Sequence, residues 1–162
     1  MISKTAEYAL RAMTFLAMEP GRARTVRDIA ERTRVPEGYL SKVMQNLCRA
    51  GLVRSQRGLY GGFTLEHAPA ELSILDIVDA VDPLQRIRTC PLGLPSHGAE
   101  LCPMHRRLDD ATAMVERAFR DSTLAELLSE DSASKPLCEL PAPDAQRRPK
   151  RTAGRPAGPR RG

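Results

Sequence analysis

The chain has 162 residues, a formal net charge of +5, four cysteines and no tryptophan. Its length predicts one domain of ordinary size, and its 4% aromatic content favours an aliphatic core built from helices over a β-sandwich. No apolar segment approaches the ~20 residues of a membrane span or forms a signal peptide, so we expect a cytoplasmic protein without a membrane partner.

The charge is unevenly distributed along the chain. Residues 1–65 carry 11 Lys and Arg against 5 Asp and Glu, residues 66–130 carry 6 against 12, and residues 131–162 carry 8 against 3. A basic N-terminal part followed by an acidic middle predicts a module that binds a polyanion, joined to a part that does not contact it.

Three amphipathic helices are predicted within residues 1–50. The first covers residues 3–18, the second begins after an N-cap at Thr25 with Asp28 at N3 and ends near Thr33, and the third covers residues 37–50. On the third helix the apolar positions are Leu40, Val43, Met44, Leu47 and Cys48, and the outward positions are Gly38, Ser41, Lys42, Gln45 and Arg49. Such a helix after a tight turn is typical of a helix-turn-helix whose last helix enters a major groove.

A short hairpin is predicted directly after these helices. Residues 52–56 and 63–65 have strand character and flank a glycine-rich tip that contains Arg57, Gly58, Gly61 and Gly62. A hairpin in this place is a wing, so we expect its glycines to allow close approach to a DNA backbone and Arg57 to reach a phosphate or the minor groove. The fold class is therefore mainly α with a small β-wing.

Three further helices are predicted in the second half. Ser73 and Asp76 form a capping box for the fourth helix, which ends at Asp82, and Thr123 caps a last short helix that ends near Leu128. Between them, Pro103 begins a long helix to about residue 121. Its apolar seam consists of Met104, Leu108, Ala111, Val115, Ala118 and Phe119. A seam of this length predicts a homodimer through residues 103–121.

A cluster of thiols and imidazoles lies between the fourth helix and the long helix. Residues 90–105 contain Cys90, His97, Cys102 and His105, the side-chain types that bind zinc or iron–sulfur clusters. The alternative is a polar loop whose cysteines are small buried side chains. An enzyme with a cysteine nucleophile and a histidine base is not expected, because no strand-rich scaffold or oxyanion loop accompanies them.

Four segments follow from these patterns. Residues 1–82 form a winged helix-turn-helix domain, residues 83–102 a Cys/His sensor loop, and residues 103–130 the dimerisation helix with a short C-terminal helix. Residues 131–162 are rich in Pro, Ala, Ser, Gly and Arg, and we expect a disordered basic tail with non-specific attraction to DNA.

Several motifs occur together with family-like spacing. They are Glu7-Tyr8-Ala9-Leu10-Arg11, then Val35-Pro36-x-x-Tyr39-Leu40, then Gly51-Leu52-Val53-x-Ser55-x-Arg57-Gly58-x-x-Gly61-Gly62-Phe63. Together they resemble the IscR/NsrR, or Rrf-type, family of bacterial winged-helix transcriptional regulators. The resemblance implies a homodimer on a partly palindromic double-stranded DNA operator, with repression the expected effect. It also implies a groove-contacting helix with Tyr39, Ser41, Lys42 and Gln45, a wing with Arg57, and in many members a [2Fe–2S] cluster whose state controls binding.

The chain departs from the family pattern at one position. Family members with a cluster usually carry three cysteines and some add a histidine; Cys90, Cys102 and His105 match all but the middle position, which is Ser96. In one arrangement His97 completes a Cys2His2 set for zinc or a mixed-ligand cluster. In a second, the partner's Glu7 supplies an oxygen ligand, and in a third the protein regulates without metal. With a site present, redox, nitric oxide or iron–sulfur status is the expected signal, and a winged-helix module that binds protein instead of DNA is a further alternative.

Overall fold

The computed structural model describes residues 2–58, 60–93, 100–132, 134 and 136–137. The elements in chain order are α1 (Lys4–Met18), α2 (Val26–Thr33), α3 (Glu37–Arg49), β1 (Val53–Gln56), β2 (Gly62–Leu65), a 3-10 turn (Pro69–Glu71), α4 (Ile74–Val81), α5 (Pro103–Arg120) and α6 (Leu124–Ser129). The two strands form an antiparallel sheet, which confirms the predicted fold class. In the described part of the chain no helix has the length and apolar character to cross a membrane.

Short-range side-chain caps set where the helices begin. The Thr25 hydroxyl accepts from the Asp28 N–H and the Asp28 carboxylate accepts from the Thr25 N–H, both at 3.1 Å. Ser73 with Asp76 and Thr123 with Glu126 form the same reciprocal pair. Each capping box satisfies two backbone N–H donors through residues only three positions apart. The predicted starts of α2, α4 and α6 are therefore confirmed.

The core forms around α1, which contacts α2, α3, α4, α6 and β2. The predicted apolar stripe of α3 is buried except Cys48, which is half-buried, and burial raises the pKa of the Cys48 thiol. On α4 the structure buries Leu75, Ile77 and Val78 and leaves Ile74 half-buried. The reason is that α4 packs against α1, α3 and α5 together, so more than one side of it is covered.

The wing is joined to the body through Arg24, which the sequence patterns did not indicate. The Arg24 N–H donates to the Phe63 carbonyl at 3.0 Å, and the Phe63 N–H donates to the Arg24 carbonyl at 2.7 Å. The Arg24 side chain is buried, with its guanidinium 2.7 Å from Glu19 and 5.2 Å from the centre of the Phe15 ring. A single residue thus extends the two-stranded sheet and fixes the orientation of the wing.

The long helix α5 projects from this body, whereas α6 returns to it. The N–H of Ile74 donates to the Ser122 carbonyl and the N–H of Leu124 donates to the Leu72 carbonyl, both at 2.9 Å. The Leu124 side chain is fully buried in the core. Helix α6 is therefore held in the same packed unit as the N-terminal helices.

Candidate nucleic-acid interface and Cys/His site

The outward face of α3 presents polar side chains beside the buried stripe. Lys42 and Gln45 are exposed, and Ser41 is half-buried with its hydroxyl donating to the Glu37 carbonyl at 3.1 Å. Since that hydroxyl keeps its lone pairs, it remains able to accept a hydrogen bond. These three residues lie where the sequence predicted a groove-contacting surface.

Tyr39, at the start of α3, is held against α1. Its hydroxyl is hydrogen-bonded to the Thr5 hydroxyl, and its ring packs edge-on against Tyr8 with centroids 5.6 Å apart. The Arg11 guanidinium lies 5.7 Å from the centre of the Tyr8 ring and forms an ion pair with Glu7. Tyr39 is 43% exposed, so these contacts fix its ring and leave a large part of it accessible.

The wing requires its glycines for its own folding. A Cβ at Gly61 would lie 2.5 Å from the Gln56 carbonyl oxygen, and a Cβ at Gly62 would lie 2.5 Å from the Arg24 carbonyl oxygen. Gly58 has φ +115°, and no atom lies within 4 Å of the position its Cβ would take. Close approach of the wing to its own backbone therefore explains Gly61, and close approach of Arg24 to the wing explains Gly62.

Among the described residues of the wing tip, Arg57 and Tyr60 have exposed side chains. Arg57 is exposed as the sequence predicted, and Tyr60 is 86% exposed. Tyr60 was not among the predicted site residues, although an aromatic residue inside a glycine-rich tip was a visible indication. A cation and an aromatic ring at one tip provide the two chemistries that contact phosphates and nucleic-acid surfaces.

Two of the predicted metal ligands lie together at the start of α5. Cys102 is the N-cap residue of α5, and its sulfur lies 3.3 Å from Nδ1 of His105, one turn later. Sulfur and nitrogen ligands of one tetrahedral zinc ion lie about 3.5 Å apart, given Zn–S and Zn–N distances of about 2.3 and 2.0 Å. The geometry of this pair therefore fits two adjacent positions of a zinc or mixed-ligand site.

Of the other two predicted ligands, the structure describes Cys90 but not His97. Cys90 is half-buried and precedes a turn in which the Gly93 N–H donates to the Cys90 carbonyl at 3.0 Å. His97 and Ser96 fall within residues 94–99, which lie outside the described residues. Among the residues that are described, no group of three or more His, Cys, Asp or Glu side chains is arranged to hold a metal ion.

A network of ion pairs ties the segment before Cys90 to α5. The Arg86 guanidinium donates to both Asp109 oxygens at 2.7 Å and to Glu116 at 3.0 Å, and the Ile87 N–H donates to Asp109 at 2.8 Å. The Arg86 guanidinium, with the Ile87 N–H, lowers the pKa of Asp109 to about 2. Arg86 and then Arg120 lower the pKa of Glu116. These ion pairs join the two ends of the Cys/His segment, and the sequence patterns did not indicate them.

The burial pattern of α5 is the reverse of that expected for a helix inside one chain. Asp109 is its one buried residue, whereas Met104, Leu108 and Val115 are 61%, 53% and 40% exposed. Further along, the same side of α5 borders an apolar groove of about 450 Å³. The groove is lined by Ile2, Leu84, Ala111, Thr112, Val115, Ala118 and Phe119. A continuous apolar surface thus lies along the seam that the sequence predicted.

The comparisons with known proteins agree with this architecture. The model of the Rrf2 family, described as an iron-dependent transcriptional regulator, matches residues 2–130. The HTH-type transcriptional regulator NsrR of Geobacillus kaustophilus is 33% identical over 134 residues, which cover 79% of this chain and 88% of NsrR.

Solved structures similar to this chain include two regulators. The IscR of T. potens superposes with a TM-score of 0.65 at 26% identity, covering 79% of this chain and 85% of that chain. CymR, the global cysteine regulator of B. subtilis, superposes with a TM-score of 0.64 at 26% identity, covering 78% and 95%. The residues after 130 lie outside the family match.

Proposed function

The chain belongs to the Rrf2 family of transcriptional regulators, which are not enzymes, and we propose that it acts in the cytoplasm as a homodimer on a double-stranded DNA operator. In this proposal α3 enters the major groove, where Ser41, Lys42 and Gln45 contact base edges. The wing contacts the adjacent backbone and minor groove through Arg57, and Gly58, Gly61 and Gly62 allow its tight tip. Repression follows when the occupied operator overlaps a promoter.

The polar outward face of α3 is the observation that carries DNA binding. Lys42 and Gln45 are exposed on the side opposite to the fully buried Leu40 and Leu47, so the helix can enter a groove without exposing its core. Tyr39 supports this role because its contacts with Thr5 and Tyr8 fix the start of α3. The basic balance of residues 1–65 supplies the long-range attraction to phosphates.

Binding to a duplex recovered by selection from random-sequence DNA tests this proposal. Lys42→Ala should weaken binding about 5- to 150-fold if Lys42 contacts a base edge, as expected for ~1–3 kcal/mol. Arg57→Ala should reduce the slope of log K against log salt concentration by about 0.9, as expected for one lost phosphate contact. Arg117→Gln on α5 removes one positive charge away from the proposed interface and serves as the control.

The opposite results would contradict the assignment. If Lys42→Ala and Arg57→Ala bind the selected duplex as tightly as the wild type at fixed salt, the proposed contacts are wrong. If the wild type retards no DNA even at low salt, a winged-helix module that binds protein becomes the better explanation.

Dimerisation through residues 103–121 is supported by the exposed apolar seam of α5. Met104, Leu108 and Val115 lie on one side of α5 together with the apolar groove, and a single chain leaves that side uncovered. A second copy of α5 would cover it in a two-fold arrangement, which is the commonest form of homodimer. The same arrangement would set the spacing between two winged heads, and operator half-sites one turn apart, about 34 Å, are sensitive to that spacing.

The proposed switch is a metal or iron–sulfur site that includes Cys90, Cys102 and His105. The 3.3 Å contact between Cys102 and His105 supports it, and His97 is the proposed fourth ligand, with the partner's Glu7 as the alternative. A bound [2Fe–2S] cluster would supply a centre sensitive to redox state, nitric oxide and iron–sulfur status, whereas zinc would form a structural site that holds its ligands together. Glu7 is paired with Arg11, so the second arrangement requires that ion pair to open.

Purification without oxygen distinguishes the three arrangements. Iron and sulfide near one cluster per chain with visible absorbance identify the cluster, one zinc per chain without colour identifies zinc, and neither metal identifies metal-free regulation. Loss of metal in His97→Ala but not in Glu7→Ala supports the first ligand set, and the reverse supports the second. Arg11→Gln opens the same ion pair while keeping the Glu7 carboxylate, which makes it the matched control.

A further inference from the structure

One face of α5 carries both candidate metal ligands and the acids that bind Arg86. Along α5 and its N-cap, four residues with buried or half-buried side chains share this face: Cys102, His105, Asp109 and Glu116. Successive spacings of 3, 4 and 7 residues place them within about 60° of one another around the helix. The Cys/His pair and the ion pairs are therefore neighbours on one covered side of α5.

The segment that leads to Cys90 is fixed on this face by its main chain as well as by a side chain. The Arg86 guanidinium donates from Nε and Nη2 to the two Asp109 oxygens, both at 2.7 Å, and the Ile87 N–H donates to Asp109 Oδ1 at 2.8 Å. A bidentate ion pair restricts the orientation of both groups, and the main-chain bond restricts the backbone itself. Residues 86–87 are therefore held at one place along α5.

Cys90 lies three residues beyond Ile87, which limits its distance from the fixed point. Three residues of extended chain cover at most about 11 Å. Along α5, His105 and Cys102 precede Asp109 by about 6 Å and about 10.5 Å, at a rise of ~1.5 Å per residue. A segment that runs from Ile87 toward the start of α5 thus brings Cys90 within reach of the pair, whereas a segment released from Asp109 is fixed only where α4 ends.

We infer that Arg86 and Asp109 are positioning residues for the proposed metal site, and that they hold Cys90 near Cys102 and His105 before any metal binds. This inference deepens the proposed switch and rests on it. Without such an attachment the metal would have to order the segment as it binds, and the entropy lost would lower its affinity. Residues that orient metal ligands without binding the metal typically contribute about 10- to 100-fold to metal affinity.

The zinc affinity of the full-length chain, measured by competition with a chelator at fixed pH, tests the inference. Arg86→Met removes the guanidinium and should weaken zinc binding by about 10- to 100-fold. Arg120→Met is the matched control, because Arg120 also donates to Glu116, at 2.6 Å, and carries the same charge. Arg120 is the last residue of α5, at the opposite end from Cys102, so its replacement should leave zinc affinity unchanged.

A double variant separates positioning from damage to the fold. Arg86→Met alone leaves the Asp109 carboxylate without the guanidinium that binds it, which destabilises the chain. Arg86→Met combined with Asp109→Leu replaces the pair by apolar side chains and should restore much of that stability, but it still removes the acceptor of the Ile87 N–H. We expect a thermal melt close to that of the wild type and zinc binding that stays about 10- to 100-fold weaker. Recovery of wild-type zinc affinity together with stability overturns the inference.

Thiol exchange measures the proximity of Cys90 and Cys102 in the absence of metal. In a background with Cys48→Ala and Cys138→Ser, these two cysteines supply the only thiols of the chain. Oxidised glutathione converts them into one disulfide and releases two molecules of reduced glutathione, so the equilibrium ratio gives their effective concentration. With a chelator present, Arg86→Met should lower that effective concentration by about 10-fold, and the control should leave it unchanged.

The outcomes separate failure of the inference from failure of the proposed function. Unchanged zinc affinity in Arg86→Met, with tight binding by the wild type, overturns the inference and leaves the metal site intact. Equal losses in Arg86→Met and Arg120→Met also overturn it, because a general effect of charge then explains both. An effective thiol concentration that is the same in the wild type and in Arg86→Met contradicts the positioning of Cys90. If the wild type holds no metal after purification without oxygen and binds no added zinc, the proposed site and the inference fail together.

Discussion

Substitution of Val115 by Glu should convert the proposed dimer into a folded monomer. Val115 is 40% exposed in the single chain and lies in the middle of the apolar seam of α5. Complete burial of a valine contributes about 1.5 to 3 kcal/mol, so the exposed fraction corresponds to about 1 kcal/mol per chain and about 2 kcal/mol in a two-fold dimer. A carboxylate buried there without a partner costs several kcal/mol more.

The expected total is at least about 4 kcal/mol, which weakens dimerisation by about 1,000-fold. Sedimentation equilibrium over a range of protein concentrations measures that change as a shift in the dissociation constant. Circular dichroism should show unchanged helix content, because Val115 is exposed in the single chain and is not part of its core.

Arg117→Gln is the matched control, because it changes the net charge by the same amount. Arg117 is exposed and lies two residues further, about 200° around the helix from Val115. The control should dimerise as the wild type does. The reasoning is refuted if Val115→Glu dimerises with the wild-type constant, or if the wild type itself sediments as a monomer over the whole concentration range.

Three predictions concern the folded chain itself. Gly62→Ala should lower the free energy of unfolding by about 2 to 4 kcal/mol, because its Cβ would overlap a backbone oxygen at 2.5 Å, whereas Gly38→Ala, with free space around it, should not destabilise the protein in the same chemical denaturation. Leu124→Ala should cost about 2 to 5 kcal/mol because the side chain is fully buried, and equal losses for half-buried Leu128→Ala would contradict this. The pKa of Asp109 is lowered from 3.8 to about 2, so its ion pair stabilises the fold above about pH 4 and is lost as the pH falls toward 2. The stability difference between wild type and Asp109→Asn should shrink over that window in thermal melts, and a difference independent of pH would disprove the assignment.

Much of the architecture was predictable because it depends on short-range contacts. The capping boxes at Thr25 and Ser73 join residues three apart, and the apolar stripe of α3 repeats at helical spacing. The wing follows from glycine and strand-forming residues in one short segment. For the same reason the exposed positions of Lys42 and Arg57 could be inferred from the sequence.

The contacts between distant residues were not predictable from local patterns. Arg24 pairs with Phe63 across much of the domain, and Arg86 reaches Asp109 over 23 residues. In the sequence, a charged residue that will be buried looks the same as one that stays in solvent. Its partner comes from a distant segment and is in place only once the chain has folded. The buried Asp109 on a helix with exposed apolar residues is the clearest example.

The sequence by itself determined the helix boundaries, the wing and the set of candidate ligands, since each depends on residue types within a few positions of one another. Only the tertiary structure decided that Arg24 fixes the wing, that Arg86 and Asp109 connect the two ends of the Cys/His segment, and that Leu137 lies against the helix-turn-helix. Each of these three contacts joins segments that are far apart in the sequence. Local sequence propensity decides which segments become helices and strands. Packing and ion pairing decide how these helices and strands are arranged, because those interactions form only when residues distant in the sequence come into contact.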